Sequence, residues 1–442
     1  MQTELLKQID LEIEKSRSAL ARDTIKLVRI NSEKSAPQPG APFGPGAKEV
    51  LDTVLEMGKE EGFYPVDYGM GVASISMKEG QPDLGIWLHG DVVPAGDGWI
   101  YPPYEGVEYE GCIIGRGATD NKGQLAAIFH IMKIFKDMGI ELKYNTALYV
   151  GSNEETGMED VKAFLKECQP PKLSLVPDSG FPLGYGGKGS VTLDFRSKEA
   201  LHGLTITAGQ ADAPGKAVAE LQGKTFETSS PPRHGSSPDP NGNMITKLTE
   251  LLLADAATAE EDKPALRFFH DLSLDVDGKN IGIYVETNTM KPTTVFCKSL
   301  QTADGHVSMT VNIRYPVEIT GEEIVERLSA KASLSGLEVT NVRFGQKPYL
   351  MDPNHPIARK LTEVSNEVTG TDSKPFTLGG GTYAHWLPNA YVYGMNGNQV
   401  PAGFPAGHGG AHGMDEMVSL DRLQRAMRIY ARALLALNEM EW

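Results

Sequence analysis

The chain alternates between strand-like and helix-like segments over its first 186 residues, and this alternation limits its fold more than any other feature. Short apolar runs such as Leu84–His89 and Thr146–Val150 have the length and composition of buried strands. A long segment after Asp120 instead places its apolar residues at helical spacing. Strands that alternate with helices are typical of a layered α/β domain. We therefore predict an α/β fold with a largely parallel sheet flanked by helices.

The pattern changes after residue 186 and returns near residue 350. Residues 187–349 carry strand-like pieces and two predicted helices, at about 214–221 and 241–256. The predicted strands of this region are Ser190–Phe195, Ile281–Val285 and Val307–Ile313. We therefore predict one domain in two parts, 1–186 and 350–442, interrupted by an inserted α+β domain over 187–349. A single N-terminal helix is predicted over 4–29.

Charge and cysteine usage restrict the partners and the compartment. The chain has 42 basic and 58 acidic residues and a net charge of −16, which is unfavourable for binding a phosphate backbone. Its apolar runs fall short of the ~20 residues that a membrane span needs, and its first residues do not resemble a signal peptide. The three cysteines are far apart, which favours a reducing compartment. We predict a cytoplasmic protein that binds neither nucleic acid nor membrane.

Histidine and acidic side chains collect where predicted strands end. His89 could bind a metal, and Asp91 two residues later could orient the imidazole; a buried structural pair is the alternative. Glu154 and Glu155 follow the next strand. One of them could bind a metal while the other removes a proton from water, although a solvated acidic loop is the alternative. The residues alone leave open which glutamate has which role.

Three further acidic or histidine positions complete this set. Asp178 follows another apolar strand, and His412 precedes the last helix, where we prefer it over His408. Asp120 stands before a long helix, so it is either an N-cap or a carboxylate that bridges two metals. Ligands of open α/β sheets bind at the carboxyl ends of the strands. Apart from Asp91, the set supplies two histidines, two aspartates and two glutamates at such ends, which indicates a hydrolase with two cations about 3.5–4 Å apart.

These segments resemble the dinuclear zinc exopeptidase family of aminoacylase-1, carboxypeptidase G and the dipeptidase PepV. The matching pieces are, in chain order, His89-Gly-Asp-Val-Val-Pro94, Gly115-Arg-Gly-Ala-Thr-Asp120-Asn-Lys-Gly123, Glu154-Glu155, Pro177-Asp178-Ser179 and His412-Gly-Met-Asp-Glu416. Within the family, Gly98-Trp99 and the stretch Gly380-Gly-Thr-Tyr-Ala384 are most similar to PepV-type (Xaa-His/beta-Ala) dipeptidases.

The resemblance implies a role for each cluster. The implied metal ligands are His89 and Asp178 for one ion, Glu155 and His412 for the other, and Asp120 between the two. The peptide bond from Asp120 to Asn121 is expected to be cis. Asp91 is expected to orient His89, and Glu154 to act as the general base. The metals are expected to be two divalent ions, zinc first, with manganese or cobalt as alternatives.

In the inserted domain, the resemblance implies a lid that carries substrate contacts. His234 would polarise the scissile carbonyl and stabilise the oxyanion, with a surface loop histidine as the alternative. Arg314 would clamp the substrate's terminal carboxylate, with an exposed strand arginine as the alternative. The N–H groups of Gly380 and Gly381 would contact the same carboxylate, or these glycines only form a turn.

Two places depart from the pattern of the family. PepV-like lids carry an asparagine where this chain has Ala211 and Asp212. His385 occupies a place where we expect a different residue, and its role is open.

The sequence therefore predicts a metallo-dipeptidase that hydrolyses small peptides. A water activated by two metals attacks the carbonyl carbon, while Glu154 moves the proton to the leaving amine. A lid of about 160 residues favours a monomer, with a homodimer as the alternative. The rival enzyme is an N-acyl-amino-acid amidohydrolase or deacetylase of the same family. An inactive metal- or peptide-binding homologue is more remote, because Glu154 is intact.

Overall fold

The computed structural model describes residues 2–209, 215–231, 238, 239, 241–395 and 400–442. Its helices are α1 (Gln2–Lys15), α2 (Arg17–Val28), α3 (Pro45–Glu60), α4 (Gly123–Asp137), α5 (Glu159–Glu167), α6 (Met244–Ala254), α7 (Lys263–Leu274), α8 (Gly321–Leu334), α9 (Pro356–Thr369) and α10 (Leu420–Asn438). Its strands are β1 (Tyr64–Asp67), β2 (Val72–Ser76), β3 (Leu84–His89), β4 (Val107–Tyr109), β5 (Cys112–Ile114), β6 (Thr146–Gly151), β7 (Leu173–Val176), β8 (Gly184–Gly187), β9 (Gly189–Ser197), β10 (Leu204–Ala208), β11 (Lys216–Leu221), β12 (Lys224–Ser229), β13 (Thr294–Ala303), β14 (His306–Tyr315), β15 (Leu337–Phe344), β16 (Tyr349–Leu350), β17 (Phe376–Leu378), β18 (Ala390–Val392) and β19 (Met417–Ser419).

The chain divides into two compact units. The first unit comprises Met1–Tyr185, Met351–Phe376 and Thr382–Trp442. The second unit comprises Gly186–Leu350 and Thr377–Gly381. None of the helices in the described ranges has the length and hydrophobicity that a membrane crossing requires.

The first unit is built around a mixed sheet with the strand order β1-β2-β6-β3-β7-β18-β8. The pairs β6–β3, β3–β7 and β7–β18 are parallel, whereas the outer pairs are antiparallel. Every residue of β3, β6 and β7 is buried, which explains why these strands are continuous apolar runs. The predicted α/β fold with a largely parallel central sheet is confirmed.

Helix α4 lies within the core of the first unit. It is apolar almost all round, and Leu125, Ile128, Phe129, Met132 and Phe135 are all buried. A helix that is hydrophobic on all sides is stable only when protein surrounds it.

A separate antiparallel sheet, with the strand order β19-β5-β4, belongs to the same unit.

The second unit is an antiparallel sheet with helices, as the predicted α+β insertion requires. Its strand order is β12-β11-β10-β13-β14-β9-β15. Strand residues such as Phe195 and Val311 join helix residues such as Leu248 and Phe269 in one buried apolar cluster. This cluster is separate from the apolar core of the first unit.

Two predicted elements of the second unit are wrong. The helix predicted at about 214–221 is strand β11 over its described part, because Ala217, Ala219 and Leu221 alternate into the core between β10 and β12. The segment predicted as a strand over 281–285 is a turn followed by irregular chain, and the N–H groups of Ile283 and Tyr284 both donate to the carbonyl oxygen of Gly278 at 2.9 Å.

The predicted N-terminal helix is divided into α1 and α2. Ser16 lies between them, and its hydroxyl donates to the carbonyl oxygen of Ile13 at 2.8 Å. A serine side chain that bonds to the preceding turn competes with the helical backbone and bends a helix. Helices α7 and α8 are elements that the sequence analysis missed.

Candidate functional site

Three neighbouring parallel strands end at the same edge of the central sheet and carry acidic or histidine side chains there. His89 is the last residue of β3. Glu154 and Glu155 come shortly after the end of β6, and Asp178 follows the end of β7. Because β3 lies between β6 and β7 and all three run in the same direction, their carboxyl ends bring these four residues together.

The small sheet brings Asp120 and His412 to each other. β5 pairs with β19 in antiparallel register, with Met417 opposite Ile114, so the segment after β5 lies beside the segment before β19. Asp120 occupies a π-helical turn over Ala118–Lys122, and its own dihedral angles are not helical. Lys122 is the N-cap of α4, so Asp120 does not cap that helix. The Asp120–Asn121 peptide bond is cis, as the resemblance implies.

Asp120 directs one carboxylate oxygen at each histidine. Its Oδ1 lies 3.0 Å from Nε2 of His89, and its Oδ2 lies 3.1 Å from Nε2 of His412. The same Nε2 of His412 lies 2.9 Å from Oε1 of Glu155. Potential ligand atoms of His89, Glu154 and Asp178 lie within 4.8 Å of one another, and so do those of His89, Asp120 and Glu155. The predicted metal-binding residues therefore form one cluster.

Asp91 organises this cluster through its backbone and its side chain in different ways. Its main-chain carbonyl oxygen lies 2.9 Å from Nδ1 of His89, whereas its carboxylate is 3.6 Å away, beyond hydrogen-bond distance. The carboxylate instead accepts the backbone N–H groups of Glu154 and Glu155, at 3.0 and 3.1 Å. Asp91 thus orients the imidazole through a peptide carbonyl. Its side chain holds the loop over residues 152–155, which carries Glu154 and Glu155 and is called the glutamate loop below.

Burial and mutual repulsion dominate the electrostatics of the cluster. Burial and the charge of Asp178 raise the pKa of Glu154 well above its usual value, and burial together with Asp120 does the same to the pKa of Asp178. Burial alone would raise the pKa of Asp120, yet hydrogen bonds with His412 and His89 hold it below its usual range. Hydrogen bonds with Asp120 and Glu155 raise the pKa of His412 to about 10.

This donor set fits a pair of divalent cations. Two imidazoles and several carboxylates are the ligand types that zinc and related metals take. One oxygen of Glu154, Oε1, is buried without a hydrogen-bond partner among the described residues. A buried, unpartnered carboxylate oxygen is costly unless a cation or a water completes its surroundings. The side chain of His412 is 44% exposed, so the cluster is open to solvent on that side.

One buried residue that the sequence analysis did not mention, Asp160, holds the glutamate loop. Asp160 accepts the N–H groups of Ser152 and Asn153 through Oδ2, at 2.8 and 2.9 Å. The same oxygen accepts the hydroxyl of Tyr383 at 2.5 Å. Together with the bonds to Asp91, four consecutive backbone N–H groups therefore point at two buried carboxylates. The sequence signal for Asp160 is weak, because an acid in the first turn of a helix such as α5 is common.

A second buried contact that the sequence analysis missed joins the segments of Asp120 and His412. Nη1 of Arg116 donates to Oε2 of Glu416 at 2.6 Å, and both side chains are at most 2% exposed. A sequence signal existed for Glu416, because it is the last residue of the His412 motif.

His408, the alternative to His412 in the sequence analysis, pairs with Asp415 at 2.5 Å, and Asp415 also accepts the N–H of Tyr101.

The predicted substrate-binding residues belong to the second unit or lie outside the described residues. Arg314 is on β14, where its Nε donates to Oδ1 of Asn312 at 2.9 Å, and burial lowers its pKa. Gly380 and Gly381 are also in the second unit. His234 and the Ala211-Asp212 departure lie outside the described residues. His385 has a structural contact, because its Nδ1 accepts the N–H of Thr382 at 3.2 Å.

Curated proteins similar to this chain over nearly its full length carry dipeptidase names. The protein named "Putative dipeptidase YtjP" from Bacillus subtilis (strain 168) is 29% identical over 469 residues, covering 97% of this chain and 99% of the relative. A "Putative dipeptidase" from Staphylococcus epidermidis (strain ATCC 12228 / FDA PCI 1200) is 28% identical and covers 94% of this chain and 95% of its own length.

Solved structures share the fold at low sequence identity. Human carnosine dipeptidase 1 matches with a TM-score of 0.62 and 16% identity, covering 99% of both chains. The di-peptidase Dug1p from Saccharomyces cerevisiae matches with the same TM-score, identity and coverage. At such identity these likenesses concern the fold alone.

A family profile decides the membership of the chain. The profile of peptidase family M20/M25/M40 matches residues 86–436, the range that contains every residue of the predicted metal-binding cluster. The match confirms the resemblance to the zinc exopeptidase family and the prediction of a metallopeptidase-type hydrolase. Membership of this peptidase family implies divalent metal ions. Because the match spans most of its length, the chain belongs to peptidase family M20/M25/M40.

Proposed function

We propose that this protein is a metallo-dipeptidase that hydrolyses the peptide bond of small peptides at the cluster around Asp120. The observation that carries the proposal is the geometry of Asp120, which offers one oxygen to His89 at 3.0 Å and the other to His412 at 3.1 Å. A carboxylate in that arrangement is suited to bridge two cations. The dipeptidase names of the curated relatives support the choice of substrate.

The residues divide into two metal-binding groups that share Asp120. We assign His89 and Asp178 to one cation, and Glu155 and His412 to the other. The distance of 2.9 Å between Glu155 and His412 supports the second group. Two divalent ions bound there supply Lewis acidity, which lowers the pKa of a water and polarises the scissile carbonyl. Zinc is the first candidate, with manganese or cobalt as alternatives.

Glu154 is assigned as the general base because its position differs from that of Glu155. Glu155 is engaged by His412, whereas Oε1 of Glu154 is buried and unpartnered among the described residues. Oε1 of Glu154 takes the proton of the attacking water and delivers it to the nitrogen of the leaving amine. Asp91 keeps this carboxylate in place by accepting the N–H of Glu154 at 3.0 Å.

Four residues that would contact the substrate stay predictions from the resemblance. His234 is assigned to the developing oxyanion, and Arg314 with Gly380 and Gly381 to the terminal carboxylate of the peptide. Arg314 is suited to this role because its guanidinium is largely buried and its described partner is a neutral amide, that of Asn312. The monomeric state and the cytoplasmic location also stay predictions.

The test combines metal analysis with a substrate panel. Purified protein is assayed with dipeptides and with N-acetyl amino acids, before and after removal of metal by a chelator. We expect two metal ions per chain, hydrolysis of dipeptides, and loss of activity after chelation that added zinc or manganese restores. A preference for N-acetyl amino acids would favour the amidohydrolase instead. Full activity in the chelated protein would refute the proposal.

A further inference from the structure

Arg116 and Glu416 form a buried ion pair between the segments that carry two of the proposed metal ligands. Nη1 of Arg116 lies 2.6 Å from Oε2 of Glu416, and the side chains are 2% and 0% exposed. The ring of Trp99 lies against the guanidinium, with 5.2 Å between its centroid and Cζ. Neither Arg116 nor Glu416 has a described contact with the side-chain atoms that would bind the metals. The ion pair therefore acts on these ligands through the backbone.

The second oxygen of Glu416 binds the backbone of Asp120. Oε1 accepts the N–H groups of Thr119 and Asp120, each at 3.0 Å. Glu416 follows His412 by four residues, so the chain that carries one ligand holds the backbone of the other. The carbonyl oxygen of Glu416 also accepts the N–H of Gly115 at 2.8 Å, which continues the pairing of β5 with β19.

Arg116 also binds backbone carbonyl oxygens, one of them in the segment that carries His412. Its Nη2 donates to the carbonyl oxygen of His412 at 3.4 Å and to those of Pro94 and Ala95 at 3.3 and 3.2 Å. A guanidinium offers five donors in one plane, so a single side chain can serve a carboxylate and several carbonyls at once. A lysine lacks this planar set of donors.

We propose that Arg116 and Glu416 are positioning residues that set the distance between Asp120 and His412, and thereby the affinity of the cation site that these two ligands share with Glu155. The inference rests on the proposed function. The contacts differ between the two proposed metal sites. Glu416 and Arg116 bind the segments of Asp120 and His412 directly, whereas no described bond joins them to Asp178. We therefore expect the site of His412 to weaken more than the site of Asp178.

Removal of one partner of a buried ion pair destabilises a protein whatever the pair does, so the single variants Glu416→Met and Arg116→Met are not sufficient. The double variant Arg116→Met/Glu416→Met leaves no unpaired charge, and a buried ion pair replaced by apolar side chains of similar volume often retains its stability. It thus separates stability from positioning. Asp10→Asn is the matched control, because Asp10 pairs with Arg432 at 2.7 Å between α1 and α10, away from the metal-binding cluster.

The experiment titrates the metal-free full-length proteins with Zn²⁺ alone in a calorimeter and records the melting temperature of each. We expect Asp10→Asn to bind two ions, each with the same affinity as in the wild type. We expect the double variant to recover the melting temperature lost in the single variants, yet to bind one of the two ions about 10–100-fold more weakly, as disruption of outer contacts of a metal site typically does. Excess Zn²⁺ should then restore its peptidase activity.

Wild-type affinity for both ions in the double variant would overturn the inference and leave the proposed function intact. Equal weakening of both sites would also overturn it, because the contacts favour one site. A wild type that binds no divalent ion would refute the proposed function, and the inference with it.

Discussion

Replacement of Glu154 by glutamine should abolish most of the activity while it stabilises the metal-free protein. Glutamine has nearly the same volume, and the backbone N–H at this position keeps its bond to Asp91. The amide cannot accept the proton of the attacking water. General bases contribute about 10²–10⁴-fold to rate, which corresponds to about 2.7–5.4 kcal/mol of activation free energy.

The expected gain in stability follows from the environment of the carboxylate. Burial and the charge of Asp178 raise the pKa of Glu154 well above its usual value. A carboxyl group whose pKa is higher in the folded state than in the unfolded state, where it is about 4.3, loses stability as the pH rises above that value. At pH 7 the metal-free protein therefore bears a cost that the neutral amide removes.

The assay measures kcat with a dipeptide at saturating zinc, and the free energy of unfolding of the chelated protein in urea at pH 7. Glu155→Gln is the matched control, because Glu155 contacts His412 and its loss should reduce the number of bound metals. Glu154→Gln should keep both metals. A rate within tenfold of the wild type would refute the assignment of the base, and a less stable metal-free protein would refute the electrostatic reasoning.

Three further changes test the surroundings of the cluster. Asp91→Asn should lower the free energy of unfolding by about 1.5–3 kcal/mol in a urea titration, because an amide replaces a carboxylate that accepts two N–H groups, those of Glu154 and Glu155; an unchanged value would show that these bonds contribute nothing. Tyr383→Phe removes a donor from Asp160, whose pKa burial already raises to about 6. An acid with a raised pKa in the folded state loses stability as the pH rises from about 4 through 6, so urea titrations from pH 4 to 8 should show a loss for this variant that is deeper and extends to higher pH; a parallel curve would contradict this. Addition of zinc to the chelated wild type should raise its melting temperature, by an amount equivalent to about 2.7 kcal/mol at 100 times the dissociation constant, and the absence of any shift would argue against a metal site in the folded state.

The elements that the sequence predicted well are those with strong local patterns. Strand β3 is buried throughout and helix α4 over most of its length, so both segments are rich in apolar residues. The sequence of β11 predicts a helix, because its two alanines and its glutamate favour a helix in isolation. Five of its six residues pair with both neighbouring strands, and those non-local bonds decide its conformation.

By itself, the sequence determined the chemical inventory of the site and the order in which the chain supplies it. Acidic and histidine side chains at the ends of apolar strands are a local pattern, and the carboxyl ends of parallel strands meet by geometry. Only the tertiary structure decided what each group contacts. Asp120 bonds to both histidines instead of capping α4, and Glu416 reaches the backbone of Asp120 across 296 residues of chain. Contacts between segments so far apart depend on how sheets and loops pack, and no local pattern encodes that.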